Sequence, residues 1–405
     1  MTKADLSRTL QLVTSAALLP LAVVSGPSVA LLLALLAAAR LLGSGTPSQI
    51  GVFQQSPLLL VGLACLAWAG STVLWSLSPQ ESLVRLAKLA WILAAAWILL
   101  GAETEAVAPA PQSLFRALVL GTAVAAVLVA VERVSTGWFF EALGLRQAHL
   151  DPDIEATRVF KGIVVLLVVT WCLTPGLLAR HGRTVCLAAM AILGGLALWA
   201  GSLSATLAFG AAGLAYLLSW VFGDRFLAVL RVTIVSLVLL LPAAGLFRTA
   251  PFVDAVSAAR SAGLAVPDSG LHRAYIYDFV LERIWQRPLL GWGLEASSLL
   301  PGAETIIPAL QRGLLPSHPH NAVLEIWVEL GAIGAGLAAA LLWLGLRGIE
   351  GRITARPERA AALAAVTAFL AVSMLSFSLW ATWWLSTAVV AAFLVRALAA
   401  GGTAT

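Results

Sequence analysis

The chain has 405 residues, of which 60% are hydrophobic and only 11% charged, with a net charge of +5 and a mean hydropathy of +0.94. Soluble domains are about half apolar and a quarter charged, so this composition excludes one. Apolar runs of roughly 18 to 25 residues recur along the chain, each long enough to cross about 30 Å of hydrocarbon as a helix. The alternating ten-residue segments of a transmembrane barrel are absent.

The expected fold class is therefore an all-α polytopic membrane protein of about twelve transmembrane helices, with residues 1–405 as a single integral membrane domain. In chain order the spans are expected near 9–26, 28–43, 57–76, 84–102, 114–132, 159–179, 184–201, 203–222, 226–247, 320–346, 360–378 and 380–399. Pro27, Gly43, Pro79, Gly201, Pro251 and Pro357 punctuate them, as helix breakers should. Lys3 and Arg8 precede the first run in the manner of a signal peptide, but the unbroken series of spans behind it favours a retained helix. Cys65, Cys172 and Cys186 all fall in or beside apolar runs and read as small packing residues.

Charge sets the expected orientation. Alternating sides from a cytoplasmic N-terminus puts thirteen of the 25 Lys and Arg inside, including Arg180, Arg183, Arg347, Arg352, Arg356 and Arg359, with six of the 20 acids. The other twelve bases share the outer side with fourteen acids. Basic residues in short loops favour the cytoplasm, so both termini are expected there.

Apart from Arg85 and Lys88, the outer bases gather in or beside two long loops, near 133–158 and 248–319. The same loops hold four of the five histidines: His149, His272, His318 and His320. Loops longer than about 15 residues in compact proteins are usually functional or disordered. The second loop, between the ninth and tenth helices, also carries Tyr275, Tyr277, Trp285 and Trp292 and is expected to fold as a periplasmic lid.

The strongest local signal is Ser317-His318-Pro319-His320-Asn321. His320 is expected in the first turn of a membrane helix at the outer interface, where a neutral imidazole can act as a general base. The bland alternative is that it only caps or anchors that helix. Gly331 and Gly334 would let a neighbouring helix pack closely. Glu325 and Glu329 lie a turn apart on the same helix; Glu325 could simply bond Asn321.

Next come His272-Arg273-Ala-Tyr275-Ile-Tyr277-Asp278 and Pro288-Leu-Leu-Gly291-Trp292-Gly293. They read as an amphipathic helix ending at Arg287, followed by a turn, with Arg273 and Arg287 able to share a face. Guanidinium groups at a membrane surface suit a phosphate or diphosphate, because they bind it bidentately and stay charged. A salt-bridged face with Asp278 and Glu282 is the competing reading, preferred for Arg283 and not for Arg273. Arg158 and Lys161, at the outer end of the sixth span, either meet an anion or snorkel to headgroups. Ser202, Ser204 and Thr206 open the eighth span and read as a helix cap. No HExxH pair, Gly-rich nucleotide loop or GxSxG elbow is present, and neither a metal nor another cofactor is expected.

These residues resemble the O-antigen ligase/polymerase family of membrane glycosyltransferases. Its members share about twelve helices, a large late periplasmic loop and a His-Asn/Ser-x9-Gly-x-x-Gly signature, matched here by His320, Asn321, Gly331 and Gly334. The family's Arg followed by Pro-Leu-x-Gly-x-Gly is matched by Arg273 and residues 288–293. The resemblance covers most of the chain by topology and about 270–336 by motif. It implies a metal-independent, inverting transfer of O-antigen glycan from undecaprenyl diphosphate to a lipid A–core hydroxyl in lipopolysaccharide biosynthesis. In that chemistry His320 takes or orients the acceptor proton. Arg273, with Arg158 and Lys161, holds the leaving diphosphate. Arg287, His318, Asn321 and Tyr275 are the further substrate contacts expected.

One departure from the family is that Ser202 is followed by Leu203, where many relatives carry Arg; Arg158 is the candidate to supply that charge. Within the family an O-antigen polymerase or a protein O-oligosaccharyltransferase is the alternative. A transporter of anionic substrate would place its charges near the bilayer midplane on broken helices, and these lie at the interface.

Overall fold

The computed structural model describes residues 2–43, 56–101, 109–135, 137–142, 144, 152–247 and 250–399. Helix α1 (Lys3–Val24) starts with a capping box, in which Thr2 and Asp5 satisfy each other's backbone amides. The chain then turns through Gly26 and Pro27 into α2 (Ser28–Gly43). Helices α3 (Pro57–Thr72), α4 (Pro79–Gly101) and α5 (Pro111–Val134) each open on a proline, which fits the first turn because that turn needs no amide donor. The short α6 (Trp138–Ala142) follows.

Helix α7 (Pro152–Trp199) is broken at Gly182, whose φ of +77° and ψ of 177° interrupt the helix between Arg180 and Arg183. Helices α8 (Leu203–Phe222) and α9 (Asp224–Leu240) come next, then the one-turn α10 (Ala244–Phe247). Two surface helices, α11 (Pro251–Ser261) and α12 (Asp268–Gln286), lead to a minimal antiparallel pair, β1 (Ile306–Ile307) with β2 (Arg312–Gly313). Three long helices close the chain: α13 (Ala322–Arg352), α14 (Arg356–Leu375) and α15 (Thr382–Ala399).

Among the described residues nine helices are long and apolar enough to cross a membrane, and α2 and α3 are shorter apolar helices. The chain is an all-α polytopic membrane protein. The main core joins α1, α2, α5, α7, α14 and α15 around Leu18, Leu33, Leu118, Leu166 and Trp384. The first half of α7 is buried on every side from Ile163 to Thr174, so it reads as uniformly apolar rather than amphipathic.

The two ends of the bundle differ in chemistry. At one end Arg231 of α9 pairs with Glu350 of α13 at 2.6 Å, and Arg359 of α14 pairs with Asp224 at 2.6 Å. At the other end the segment expected as a folded loop is folded. Helix α12 packs Ile276, Val280 and Ile284 onto Leu324 and Val328 of α13. Helix α13, at about 1.5 Å per residue, separates the ends by roughly 45 Å.

Candidate functional site

The two glycine motifs are one interlocked element. Helix α13 breaks at Gly331, with φ +66° and ψ −168°, which a β-carbon would disfavour. The break frees backbone groups on both sides. Val328 and Glu329 carbonyls accept from the amides of Trp292 and Gly293, each at 2.8 Å, and the amide of Ala332 donates to the Pro288 carbonyl at 2.8 Å. The indole of Trp68 donates to the Leu330 carbonyl at 2.9 Å. A β-carbon on Gly334 would fall 2.2 Å from that of Leu330 across the break. The expectation that these glycines admit a neighbouring helix is corrected: what Gly331 admits is the backbone of the Pro-Leu-Leu-Gly-Trp-Gly turn.

His320 does not stand inside the helix or cap it. Asn321 is the cap, its Oδ1 accepting from the amides of Val323 and Leu324 at 3.1 Å each. That oxygen is committed to the backbone, so Asn321 reads as structural rather than as a substrate contact. His320 sits one residue outside, in the left-handed region at φ +56°. A non-glycine residue held there costs about 1–3 kcal/mol and persists only where the surroundings impose it.

The imidazoles of His318 and His320 lie with ring centroids 4.1 Å apart and share one acceptor. Nδ1 of His320 and Nε2 of His318 both meet the carbonyl oxygen of Ser376, the latter at 3.2 Å. A carbonyl only accepts, so both of these nitrogens carry hydrogens. His318 then takes the Ser317 hydroxyl on Nδ1, at 3.0 Å. For His320 the remaining nitrogen, Nε2, is left with its lone pair and no protein partner among the described residues. Burial pushes the His320 imidazole down to about 3, helped by His318 and then by Arg273 and His272, against the Ser376 carbonyl. Burial also lowers His318. Both rings are neutral at pH 7, as an acceptor of protons must be.

Arg273 lies half-buried in the second turn of α12, close enough for its charge to lower both imidazoles. No carboxylate pairs with it among the described residues. Tyr275, two residues on, is half-buried. The hydroxyl of Tyr277 reaches the His320 carbonyl at 3.3 Å and the Met374 carbonyl at 3.5 Å, bracing the strained residue. His272 bonds the Gly313 carbonyl at 2.9 Å, tying α12 to the strand pair. Asp278 accepts from the amides of Phe252 and Val253 and so caps α11 rather than pairing with an arginine. Arg283 pairs with Glu282 at 2.8 Å and donates to the Pro301 carbonyl.

Arg287 is not brought to the histidines. It is exposed at the far end of α12, its guanidinium 4.2 Å from the Trp292 ring, and fourteen residues of helix put it about 20 Å from Arg273. Lys161 packs its stem on Gly26, and its ammonium lies 6.0 Å from the ring of Trp383. Arg158 falls in the first turns of α7, but its side chain, like all of Arg146 and His149, lies outside the described residues. Ser202 caps α8 through the Ala205 amide, and Ser204 Oγ accepts from Ser376 Oγ at 2.7 Å, which joins the hydroxyl cluster to the histidine support.

From the sequence, the turn at 376–380 is expected only as a junction between two spans, with no part in the site. Glu325, expected to bond Asn321, instead holds Ser378 Oγ at 2.6 Å and the Leu379 amide at 2.7 Å. Glu329 accepts from Trp380 Nε1, Ser297 Oγ and the Glu295 amide. Arg85 pairs with Glu295 and donates to the Trp380 carbonyl at 2.6 Å. An apolar cavity of about 560 Å³ begins beside this turn, lined by Trp68, Leu89, Val238, Ile326, Leu342 and Trp380. Among the described residues no three His, Cys, Asp or Glu side chains lie together as metal ligands would. The expectation of no metal passed over one spacing, Asp151-Pro152-Asp153, whose side chains lie outside the described residues.

Fold and site define a multi-pass membrane protein with a polar, His- and Arg-bearing cluster at one end of its bundle. Residues 188–339 match the family described as O-antigen ligase, a stretch that runs from the second half of α7 past the break in α13 and contains Arg273, His320 and both glycine motifs. The chain is 26% identical to a protein of Rickettsia prowazekii, over 79% of this chain and 75% of that one. It is also 26% identical to one of Rickettsia felis, over 82% and 78%, and 24% identical to one of Rickettsia typhi, over 80% and 76%. All three are named, provisionally, polysaccharide ligases. Together these matches support assignment of the chain to the O-antigen ligase family, in agreement with the motifs.

Proposed function

We propose that this protein is an O-antigen ligase, moving an O-antigen glycan from undecaprenyl diphosphate to a hydroxyl of lipid A–core at the periplasmic face of the inner membrane. The acceptor oxygen attacks the anomeric carbon opposite the diphosphate. His320 Nε2 takes the hydroxyl proton as the new C–O bond forms. The bond from the anomeric carbon to the diphosphate oxygen breaks, and undecaprenyl diphosphate leaves with the electron pair. Arg273, with Arg158 and Lys161, meets the charge that develops on it; fixed cations aimed at developing charge are among the largest catalytic terms. Tyr275 and His318 are the residues proposed to border the sugar. The observation that carries this reading is a neutral His320, its Nε2 free of partners among the described residues, within electrostatic reach of Arg273, which has no carboxylate partner among them.

The apolar cavity beside Trp380 suits a polyprenyl or acyl chain. Twelve spans are part of this proposal, with the large loop between the ninth and tenth; the nine long and two shorter apolar helices among the described residues, with α7 taken as two at its break, are what supports that count. The ion pairs at the Arg231 and Arg359 end mark the proposed cytoplasmic face. Transfer is proposed to need no metal, so chelator should leave purified activity intact; restoration by magnesium after chelation would overturn that point.

Lipopolysaccharide electrophoresis of a deletion strain tests the function. Loss of the core-capped ladder with lipid-linked glycan accumulating is the ligase outcome; single-repeat caps mean a polymerase instead. Reporter fusions at Arg183 and Arg356 should read cytoplasmic and one at Gly302 periplasmic, and a cytoplasmic Gly302 would sink the mechanism.

A further inference from the structure

We infer that Glu325 is a positioning residue for the His320 base, acting through the 376–380 turn, whose Ser376 carbonyl fixes which imidazole nitrogen is free; this rests on the function proposed above. The chain of contacts is continuous. Helix α14 ends at Ser376, where φ −140° and ψ −70° leave the helix and release that carbonyl from its ladder. Both histidines then donate to it. Four attachments hold the turn that presents it. Ser376 Oγ bonds Ser204 at 2.7 Å, Glu325 takes Ser378 Oγ and the Leu379 amide, Glu329 takes the Trp380 indole at 2.8 Å, and Arg85 takes the Trp380 carbonyl.

Glu325 is 1% exposed, and both of its oxygens face this turn rather than any cation. Burying a carboxyl group to meet one hydroxyl and one backbone amide is costly, so its placement calls for a role beyond holding the helices together. Helix α13 supplies one. It carries Glu325 a turn beyond the Asn321 cap, and His320 adjoins that cap, so base and acceptor are both referenced to one rigid element. A displaced Ser376 carbonyl would let the His320 ring protonate at Nε2 instead, and the tautomer with a hydrogen there cannot take the acceptor's proton. Glu325 touches no reacting atom; its effect is on geometry.

The test compares Glu325→Gln, Glu325→Ala and Ser378→Ala, with ¹⁵N-histidine spectra of the full chain in lipid nanodiscs. Nitrogen shifts separate protonated from bare imidazole nitrogens without any substrate. Gln keeps an acceptor oxygen for the Leu379 amide and a partner for the Ser378 hydroxyl. It should therefore retain the Nδ1–H tautomer of His320 and activity within about threefold of the parent. Glu325→Ala should give a mixture of tautomers and lower kcat by about tenfold or more, with KM for lipid-linked donor unchanged. Ser378→Ala, which leaves α13 intact, should do the same to a smaller extent and serves if the first alanine variant does not fold.

Two results would overturn the inference. One is a parental tautomer and kcat in folded Glu325→Ala or Ser378→Ala. The other is a dead Glu325→Gln with the tautomer unchanged, which would assign Glu325 a role for its charge. If the tautomers move as stated but the parent transfers no glycan from undecaprenyl diphosphate, the positioning stands and the proposed function falls.

Discussion

Gly291 and Gly331 occupy each other's missing side chains: a β-carbon on either would lie 2.7 Å from the amide nitrogen of the other. The same β-carbons would also reach the Glu329 and Leu289 carbonyl oxygens, at 2.4 and 2.2 Å. Both residues have positive φ, +70° and +66°. Each alanine substitution therefore combines backbone strain with a backbone collision and should destabilise the protein by about 3 kcal/mol or more. Because both act on one interlock, the double variant should cost less than the sum, as coupled sites do. Thermal melts in detergent check both statements, and additive losses would mean that the two glycines are independent.

Asn321 and His320 separate structure from chemistry. Asn321→Ala removes a helix cap and should cost about 1 kcal/mol while leaving clear transfer activity. His320→Ala should lower kcat by about 10² to 10⁴, the usual contribution of a positioned base, with donor binding retained. His320→Gly also relieves the left-handed strain and should stay within about 1 kcal/mol of the parent in stability while remaining inactive. His318→Ala should keep measurable activity. A dead His318 variant beside a nearly normal His320 variant would name the other histidine as the base.

The pH dependence follows from the low basicity of His320. The sequence leads one to expect an ionisation between acidic and neutral pH; the structure moves it down to about 3, because a half-buried ring beside His318 and Arg273 resists a second proton. The acidic limb of kcat/KM, which reports the free enzyme, should therefore stay flat at pH 5 and fall only well below it. Stability carries the opposite side of the same linkage. Unfolded His320 takes up its proton near pH 6.5 and the folded ring only near 3, so stability is full above 6.5 and falls as pH drops through that window. His320→Gln should flatten this slope in melts between pH 6.5 and 4; an unchanged slope would place the titrating group elsewhere.

Two arginines on one helix should behave differently. Arg273→Ala should abolish transfer with the protein still inserted, and Arg273→Lys should remain severely impaired, since an ammonium lacks the bidentate fork. Arg287→Ala loses a stacking contact with Trp292, worth about 0.5–1 kcal/mol at an exposed site, and should leave transfer within a few-fold of the parent. Donor binding measured for both variants decides it. Equal losses would place the diphosphate at the wrong end of α12.

Hydrophobic length and helix punctuation made the spans legible from the sequence, because a residue's local run of neighbours decides whether it can lie in hydrocarbon. Helix α8, expected at 203–222, is observed there, and the break at Gly182 falls between the expected 159–179 and 184–201 spans. The sequence likewise pointed to Arg273 and His320, since few residue types can hold a diphosphate or take a proton near neutrality. It could not say that Asn321 rather than His320 caps α13, because either residue at that spacing satisfies the same pattern. Nor could it find the Ser376 carbonyl, 56 residues from His320 and a group that every residue possesses. Which carbonyl a turn exposes, and which buried carboxylates hold that turn, depends on how α8, α13 and α14 pack together. Only the tertiary structure decided that, and it is what leaves one nitrogen of one histidine free.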